Sequence, residues 1–76
     1  MPVKLVFLGK LADLAGAHER NVPAPVDWNG LVEALGTALT GEKVKLAVNG
    51  TVLADKTGLA AADGDELALL PPVSGG

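Results

Sequence analysis

The sequence contains no cysteine. That absence excludes a disulfide, a thiolate metal site, an iron–sulfur cluster and a cysteine nucleophile, and it suits a reducing compartment. Histidine is nearly absent too: His18 stands alone beside Glu19 and reads as a partly exposed strand residue, not a catalytic base. Basic residues are few, 6 Lys and Arg against 9 Asp and Glu, for a net charge of −3. Without a basic stripe the chain is not expected to bind nucleic acid, and positive pockets on partner proteins are its electrostatic match. No hydrophobic run reaches transmembrane length, so no membrane association is expected. The start imitates a signal peptide, with Lys4, "LVFLG" and "AGA", but Lys10 and Asp13 interrupt the apolar region. The expected location is the cytosol.

What the chain does have is enough apolar content for one small core. Its 76 residues make a single domain, 49% of them hydrophobic. A domain of that size buries only about 60% of its unfolded surface, so the core must be efficient. "VKLVFLG" (3–9) is rich in β-formers and reads as a strand. "KLADLAG" (10–16) is a short helical turn with Gly16 in a C-cap position. "HERNVP" (18–23) is a weak strand cut off by Pro23 and Pro25. Asp27 is a helix N-cap, and Trp28, Leu31, Val32, Leu35 and Leu39 form one face of a helix over about 28–40 that Gly41 ends. Trp28 is expected in the core.

"KVKLAV" (43–48) alternates, Asn49-Gly50 is a two-residue hairpin signal, and "TVLA" (51–54) returns. Leu59 anchors the following loop and Gly64 a tight turn. Asp63, Asp65 and Glu66 there lack calcium-site spacing and read as turn formers and solvent-facing charges. "ELALLP" (66–71) is the last strand and the most continuously apolar one. The order β, short α, β, α, β, β, β predicts an α+β fold, a ubiquitin-like β-grasp. It has a mixed sheet of about five strands and one main helix on one face, with the last strand central and parallel to the first beside it.

The tail after that strand is the unusual part: "PPVSGG", two prolines, a short spacer and two glycines. Residues 1–71 are expected to form the β-grasp domain and 72–76 a flexible Gly-Gly tail. A Gly-Gly end alone is weak, since average glycine usage produces it in roughly one chain in 200. The conjunction of central strand, Pro-Pro and Gly-Gly is more specific. Prolines cannot continue the ladder and favour an extended chain that projects from the domain. Glycine offers no side chain to clash inside another enzyme's pocket. The pattern therefore points to the terminal carboxylate as the working group.

"VKLVFLGKLADLAG", "AVNG" and "DGDELALLPPVSGG" together resemble the small subunit of molybdopterin synthase, over most of the chain and most specifically at the end. The resemblance implies a β-grasp sulfur carrier of molybdenum-cofactor biosynthesis. It is an enzyme only as that subunit, a sulfurtransferase component with no active site of its own. Gly76 would be adenylylated by an E1-like activating enzyme, converted to a thiocarboxylate with sulfur from a donor protein, and would deliver sulfur to cyclic pyranopterin monophosphate. Gly75 would let the tail pass a narrow channel in the large subunit, with Ser74, Val73, Pro72 and Pro71 forming its base. No cofactor would be bound by the chain itself; ATP would be used by the activating partner. The family often has bulkier aromatic residues where this chain has Leu8, Leu69 and Leu70. Other β-grasp sulfur carriers, of the thiamin-thiazole or tRNA-thiolating type, and a passive β-grasp interaction module are the alternatives.

Strand alternation adds a surface. Lys4 and Glu66 mark outward-facing positions, which puts Val6, Leu8, Ala68 and Leu70 outside and Val3, Leu5, Phe7, Leu67 and Leu69 inside. With parallel neighbouring strands, Leu8 and Leu70 meet where the tail departs, an apolar strip expected to dock a partner protein.

Overall fold

β1 (Val3–Phe7) alternates between fully buried and half-buried side chains along its whole length, the signature of a strand with one covered face. The computed structural model describes residues 2–37, 39–41 and 43–71. After β1 come α1 (Lys10–Ala15), β2 (Glu19–Val22), β3 (Val26–Asp27) and α2 (Trp28–Leu35). β4 (Lys45–Val48), β5 (Thr51–Val52), a 3-10 turn (Lys56–Gly58), β6 (Ala60–Ala61) and β7 (Glu66–Leu70) complete the order. The main sheet runs β2-β1-β7-β4-β5, with β1 and β7 parallel and the other pairs antiparallel. The expected mixed sheet of about five strands forms, with the last strand central beside the first. This is the ubiquitin-like β-grasp.

The core lies between that sheet and α2. Val3, Leu5 and Phe7 of β1, Leu67 and Leu69 of β7 and Leu46 of β4 point into it, with Leu31 of α2 opposite and Leu59 anchoring the loop. Leu11 and Ala12 of α1 close one end. Asp27 caps α2 as predicted: its carboxylate accepts the Gly30 N–H at 2.7 Å, satisfying one of the orphan donors of the first turn. Gly16 caps α1 in the left-handed conformation, φ 74°.

Four expectations need correction. α2 ends at Leu35, not near residue 40, because Gly36 adopts φ 78° and leaves the helix five residues before Gly41. The freed Gly36 carbonyl accepts the Thr40 hydroxyl at 2.7 Å, and Leu39 returns to the core from the segment that follows. Trp28 is half-buried at the edge of the core rather than inside it, with the Lys56 ammonium 5.2 Å from its ring centroid. The hairpin is shorter than expected: the strand placed at 43–48 begins only at Lys45, and its return, placed at 51–54, ends at Val52. A second sheet, β3 against β6, was not anticipated; its strands are two residues long and too short to show a period.

The hairpin turn behaves as its residues dictate. Asn49 and Gly50 both have positive φ, 50° and 88°, the pattern of a two-residue turn matched to strand twist. Asn49 also reaches across the sheet: its amide N–H donates to Asp65 Oδ1 at 3.1 Å and its Oδ1 accepts the Glu66 N–H at 3.0 Å. The β4–β5 turn is thereby tied to the start of β7.

Candidate functional site

The outer face of the sheet, opposite α2, can be laid out row by row from the pairing register. Lys4 pairs with Asn21 and Glu66; Val6 pairs with Glu19 and Ala68; Ala68 pairs with Ala47, and Ala47 with Val52. The middle row is therefore an apolar band, Val6–Ala68–Ala47–Val52, crossing four strands. One step further, Phe7 pairs with Leu69 and the Leu8 N–H donates to the Leu69 carbonyl at 3.2 Å, so Leu8 stands beside Leu70. Lys45 flanks Leu70 on the other side. The predicted partner-binding residues Val6, Leu8, Ala68 and Leu70 are thus brought together on one face.

Their exposure is graded. Leu8 is 40% exposed, whereas Val6, Ala68 and Leu70 are half-buried. β1 and β7 are central strands, so their outward side chains are shielded laterally by neighbours, while Leu8 lies just past the end of its strand. At the far edge Val52 is 54% exposed. Ala47 and Val52 were missing from the sequence reading, because the alternation within one strand does not reveal which residues of another lie beside it. Leu14, on α1, is a further exposed leucine at 62%.

The apolar face meets the root of the tail. Pro71 follows β7 directly, is half-buried and packs against Gly9, where a Cβ would lie 3.2 Å from the proline Cγ. The predicted tail residues Pro72, Val73, Ser74, Gly75 and Gly76 lie outside the described residues, as does the proposed division at residue 71.

Charged side chains flank the apolar face at both ends of β7, with Lys4 beside Glu66. Lys45 lies beside Leu70 at the Pro71 end, whereas Asp63, Asp65 and Glu66 cluster at the opposite end. Asp65 is a turn former, as expected: its carboxylate accepts the Ala62 N–H at 2.9 Å and the Asn49 amide. Those donors, the backbone one foremost, hold its pKa below the ordinary value of 3.8. Asp55 is lowered likewise by the hydroxyl and N–H of Thr57, at 2.6 and 3.0 Å. Among the described residues, no group of three or more His, Cys, Asp or Glu is placed to hold a metal ion. Nor is any helix among them long and apolar enough to cross a membrane. His18 is exposed, and its carbonyl accepts the Phe7 N–H as β2 begins. What the described residues offer is an apolar sheet face that ends beside Pro71.

Comparison with known proteins gives that face a context. The ThiS family model matches residues 5–76. Among solved structures, SAMP1 from Haloferax volcanii is similar at 30% identity and TM-score 0.73, with all of both chains covered. A chain of the complex of subunits 1 and 2 of the molybdopterin-converting factor from Helicobacter pylori 26695 is similar at 26% identity and TM-score 0.69, again over both whole chains. A putative molybdopterin-converting factor subunit 1 from Pyrococcus furiosus shares the fold, at 24% identity and TM-score 0.75, covering 96% of this chain and 99% of that one. No match was found among curated proteins. With the family model spanning nearly the whole sequence and the fold agreeing, the chain belongs to the ThiS family of small ubiquitin-like sulfur carriers.

Proposed function

We propose that this protein is the sulfur-carrier subunit of a molybdopterin synthase in the cytosol, with the carboxylate of Gly76 as the reacting group. The observation that carries the reading is the placement of the Leu8–Leu70 pair directly beside Pro71, so that a partner gripping the apolar face also stands over the root of the tail. The family match extends through residue 76, so the Gly-Gly tail belongs to the region of similarity.

The chemistry divides between this chain and its partners. A carboxylate oxygen of Gly76 attacks the α-phosphate of ATP in an E1-like enzyme, releasing pyrophosphate and leaving an acyl-adenylate. Hydrosulfide released by a donor protein attacks the acyl carbon and displaces AMP, losing a proton and leaving the thiocarboxylate. This sequence has no cysteine, so the sulfur must come from outside it. In the large subunit the thiocarboxylate sulfur bonds to a carbon of cyclic pyranopterin monophosphate, water cleaves the acyl C–S bond and returns the Gly76 carboxylate, and two such transfers form the dithiolene. Gly75 and Gly76 let the tail enter narrow pockets, while Pro71 and Pro72 limit the conformational entropy lost on threading. The similarity to a chain of the H. pylori subunit complex supports a large-subunit partner.

A second reading, a carrier serving another sulfur acceptor or a protein modifier, is favoured by the 30% identity to SAMP1, a small archaeal modifier protein. Thiazole-forming and tRNA-thiolating carriers fall under it. Intact-mass measurement of protein from its native host, followed by reconstitution with the large subunit and the pterin, tests both. An oxygen-for-sulfur exchange at Gly76 followed by dithiolene formation is expected. The exchange without dithiolene would favour the second reading, and an unmodified C-terminus would make the chain a passive interaction module. Deleting Gly76, or adding a residue after it, should abolish ATP–pyrophosphate exchange while leaving the thermal melt unchanged.

A further inference from the structure

We propose that Gly9 is a positioning residue for the activated tail: the turn it forms after β1 is the seat on which Pro71 rests, and it fixes the heading from which the tail continues. The inference rests on the reading of the tail as the reacting segment.

The turn is defined by its hydrogen bonds. The Leu8 carbonyl accepts the Leu11 N–H at 3.1 Å, closing a four-residue turn, and the Gly9 carbonyl accepts the Ala12 N–H at 3.1 Å to start α1. Gly9 has φ 55° and ψ −130°. Those are close to the angles of the first central position of a type II′ turn, which glycine dominates because a Cβ is disfavoured there. Backbone conformation is thus one reason for a glycine at this point. A second reason is proximity. A Cβ on Gly9 would stand 3.2 Å from Pro71 Cγ and 4.0 Å from Cδ.

Four other described glycines also have positive φ: Gly16, Gly36, Gly50 and Gly64. At each of them a Cβ would meet nothing within 4 Å. Their role is local backbone shape. Gly9 is exposed, so no core packing demands its small size either. What distinguishes it is its neighbour, the residue that joins the sheet to the tail.

Pro71 has no N–H with which to extend the ladder beyond Leu70, and its ring fixes φ near −65°. With that torsion fixed, a displacement of the ring is carried into the chain that follows, and Gly9 lies on one side of the ring. A methyl group at position 9 would require the ring to give by a few tenths of an ångström. Misplacements on the order of 1 Å in a reacting group can cost about a hundredfold in rate. The five residues beyond Pro71 can span at most roughly 17 Å, so a tilt at the root shifts the region that the tip can reach. A docked partner holds the Leu8–Leu70 face and the tail tip at once, so the tilt cannot relax by shifting the whole domain. The penalty should then appear in turnover and not in docking.

Adenylation by the host's own E1-like enzyme, followed by ATP–pyrophosphate exchange, tests this with Gly9→Ala and Gly16→Ala. Both substitutions impose an L side chain at positive φ, and only the first meets Pro71. Gly9→Ala should lower kcat about tenfold or more with KM changed less than about twofold, and Gly16→Ala should leave both near wild type. Adding Pro71→Ala to Gly9→Ala removes the ring and should recover part of the lost kcat, a coupling that simple backbone strain would not show. Equal effects of the two glycine variants, a loss confined to KM, or no recovery in the double variant would each overturn the assignment. If wild-type protein is not adenylated at all, the functional reading fails first; if it is, only the role of Gly9 is at stake.

Discussion

Along β1 and β7 the side chains alternate between a wholly apolar face and a mixed face that still carries four apolar residues, yet only the first is covered by the chain itself. Val3, Leu5, Phe7, Leu67 and Leu69 face α2 and are essentially sealed from solvent, at 0–2% exposure. Val6, Leu8, Ala68 and Leu70 face the other way, where no described helix lies, and they share that face with Lys4 and Glu66. Two layers need only one apolar sheet face. Hydrophobic side chains on the second face do nothing for that core, so their clustering next to Pro71 is better accounted for by a partner than by folding. On the proposed function the inner face serves stability and the outer face recognition, and each can be perturbed separately.

The largest effect should come from the inner face. Leu67 is fully buried, so Leu67→Asp removes its packing and forces a carboxyl into the core. The cost should be about 4 kcal/mol or more, a large part of the total stability of a domain this small. Circular dichroism melts should show the variant largely unfolded or with its transition strongly lowered. A melt close to wild type would break the distinction between the faces.

On the outer face the same substitution should act on binding. Leu8→Asp and Leu70→Asp should each weaken association with the large subunit by about 2 kcal/mol or more, the range of interface anchors. Their melts should shift only modestly, by about 1 kcal/mol in stability. Val52, at the far end of the apolar band and on an edge strand, should behave as a rim position, losing less than about 1 kcal/mol on substitution by Asp. Titration calorimetry on the three variants maps the footprint; unchanged affinity for both leucine variants would remove the docking assignment.

Both faces were legible in the sequence because strand alternation has a period of two and Lys4 and Glu66 mark its phase. Asp27, Gly16 and the Asn49-Gly50 turn were legible for a similar reason: each acts through bonds or angles within a few residues. The end of α2 was not. Leu39 continues the helical phase of Leu31 and Leu35, and nothing local says that Gly36 turns the chain out of the helix before Leu39 reaches the core by another route. The band through Ala47 and Val52 was hidden as well, since it depends on register across three strand pairs. Gly9 was read merely as the end of a strand, because its contact with Pro71 joins residues 62 positions apart. Conversely the glycines of the tail could be assigned a role only through their pattern in the sequence and its family resemblance.

The smallest effect concerns the end of β7 farthest from Pro71, where the two faces meet a turn that takes part in neither core nor docking. Asp65 is held ionised below its ordinary range, first by the Ala62 N–H and then by the Asn49 amide. A carboxylate whose pKa is lower in the folded state stabilises that state fully above the unfolded value, near 3.8, and this contribution disappears as pH falls through the folded value. Asp55 acts with the same sign through Thr57. The melting temperature should therefore decline on acidification from about pH 5 into the region below the ordinary carboxylate range. Asp65→Asn keeps an oxygen that can accept the Ala62 N–H but loses the charge, so it should melt slightly below wild type at neutral pH. The gap between the two should close as the medium becomes acidic. Because the turn lies away from Leu8 and Leu70, large-subunit affinity of Asp65→Asn should equal that of wild type at neutral pH. Melts across a pH series together with one calorimetric titration decide the matter: a gap that widens in acid would reverse the sign argued for Asp65, and a loss of affinity would extend the docking face to a region assigned here to stability alone.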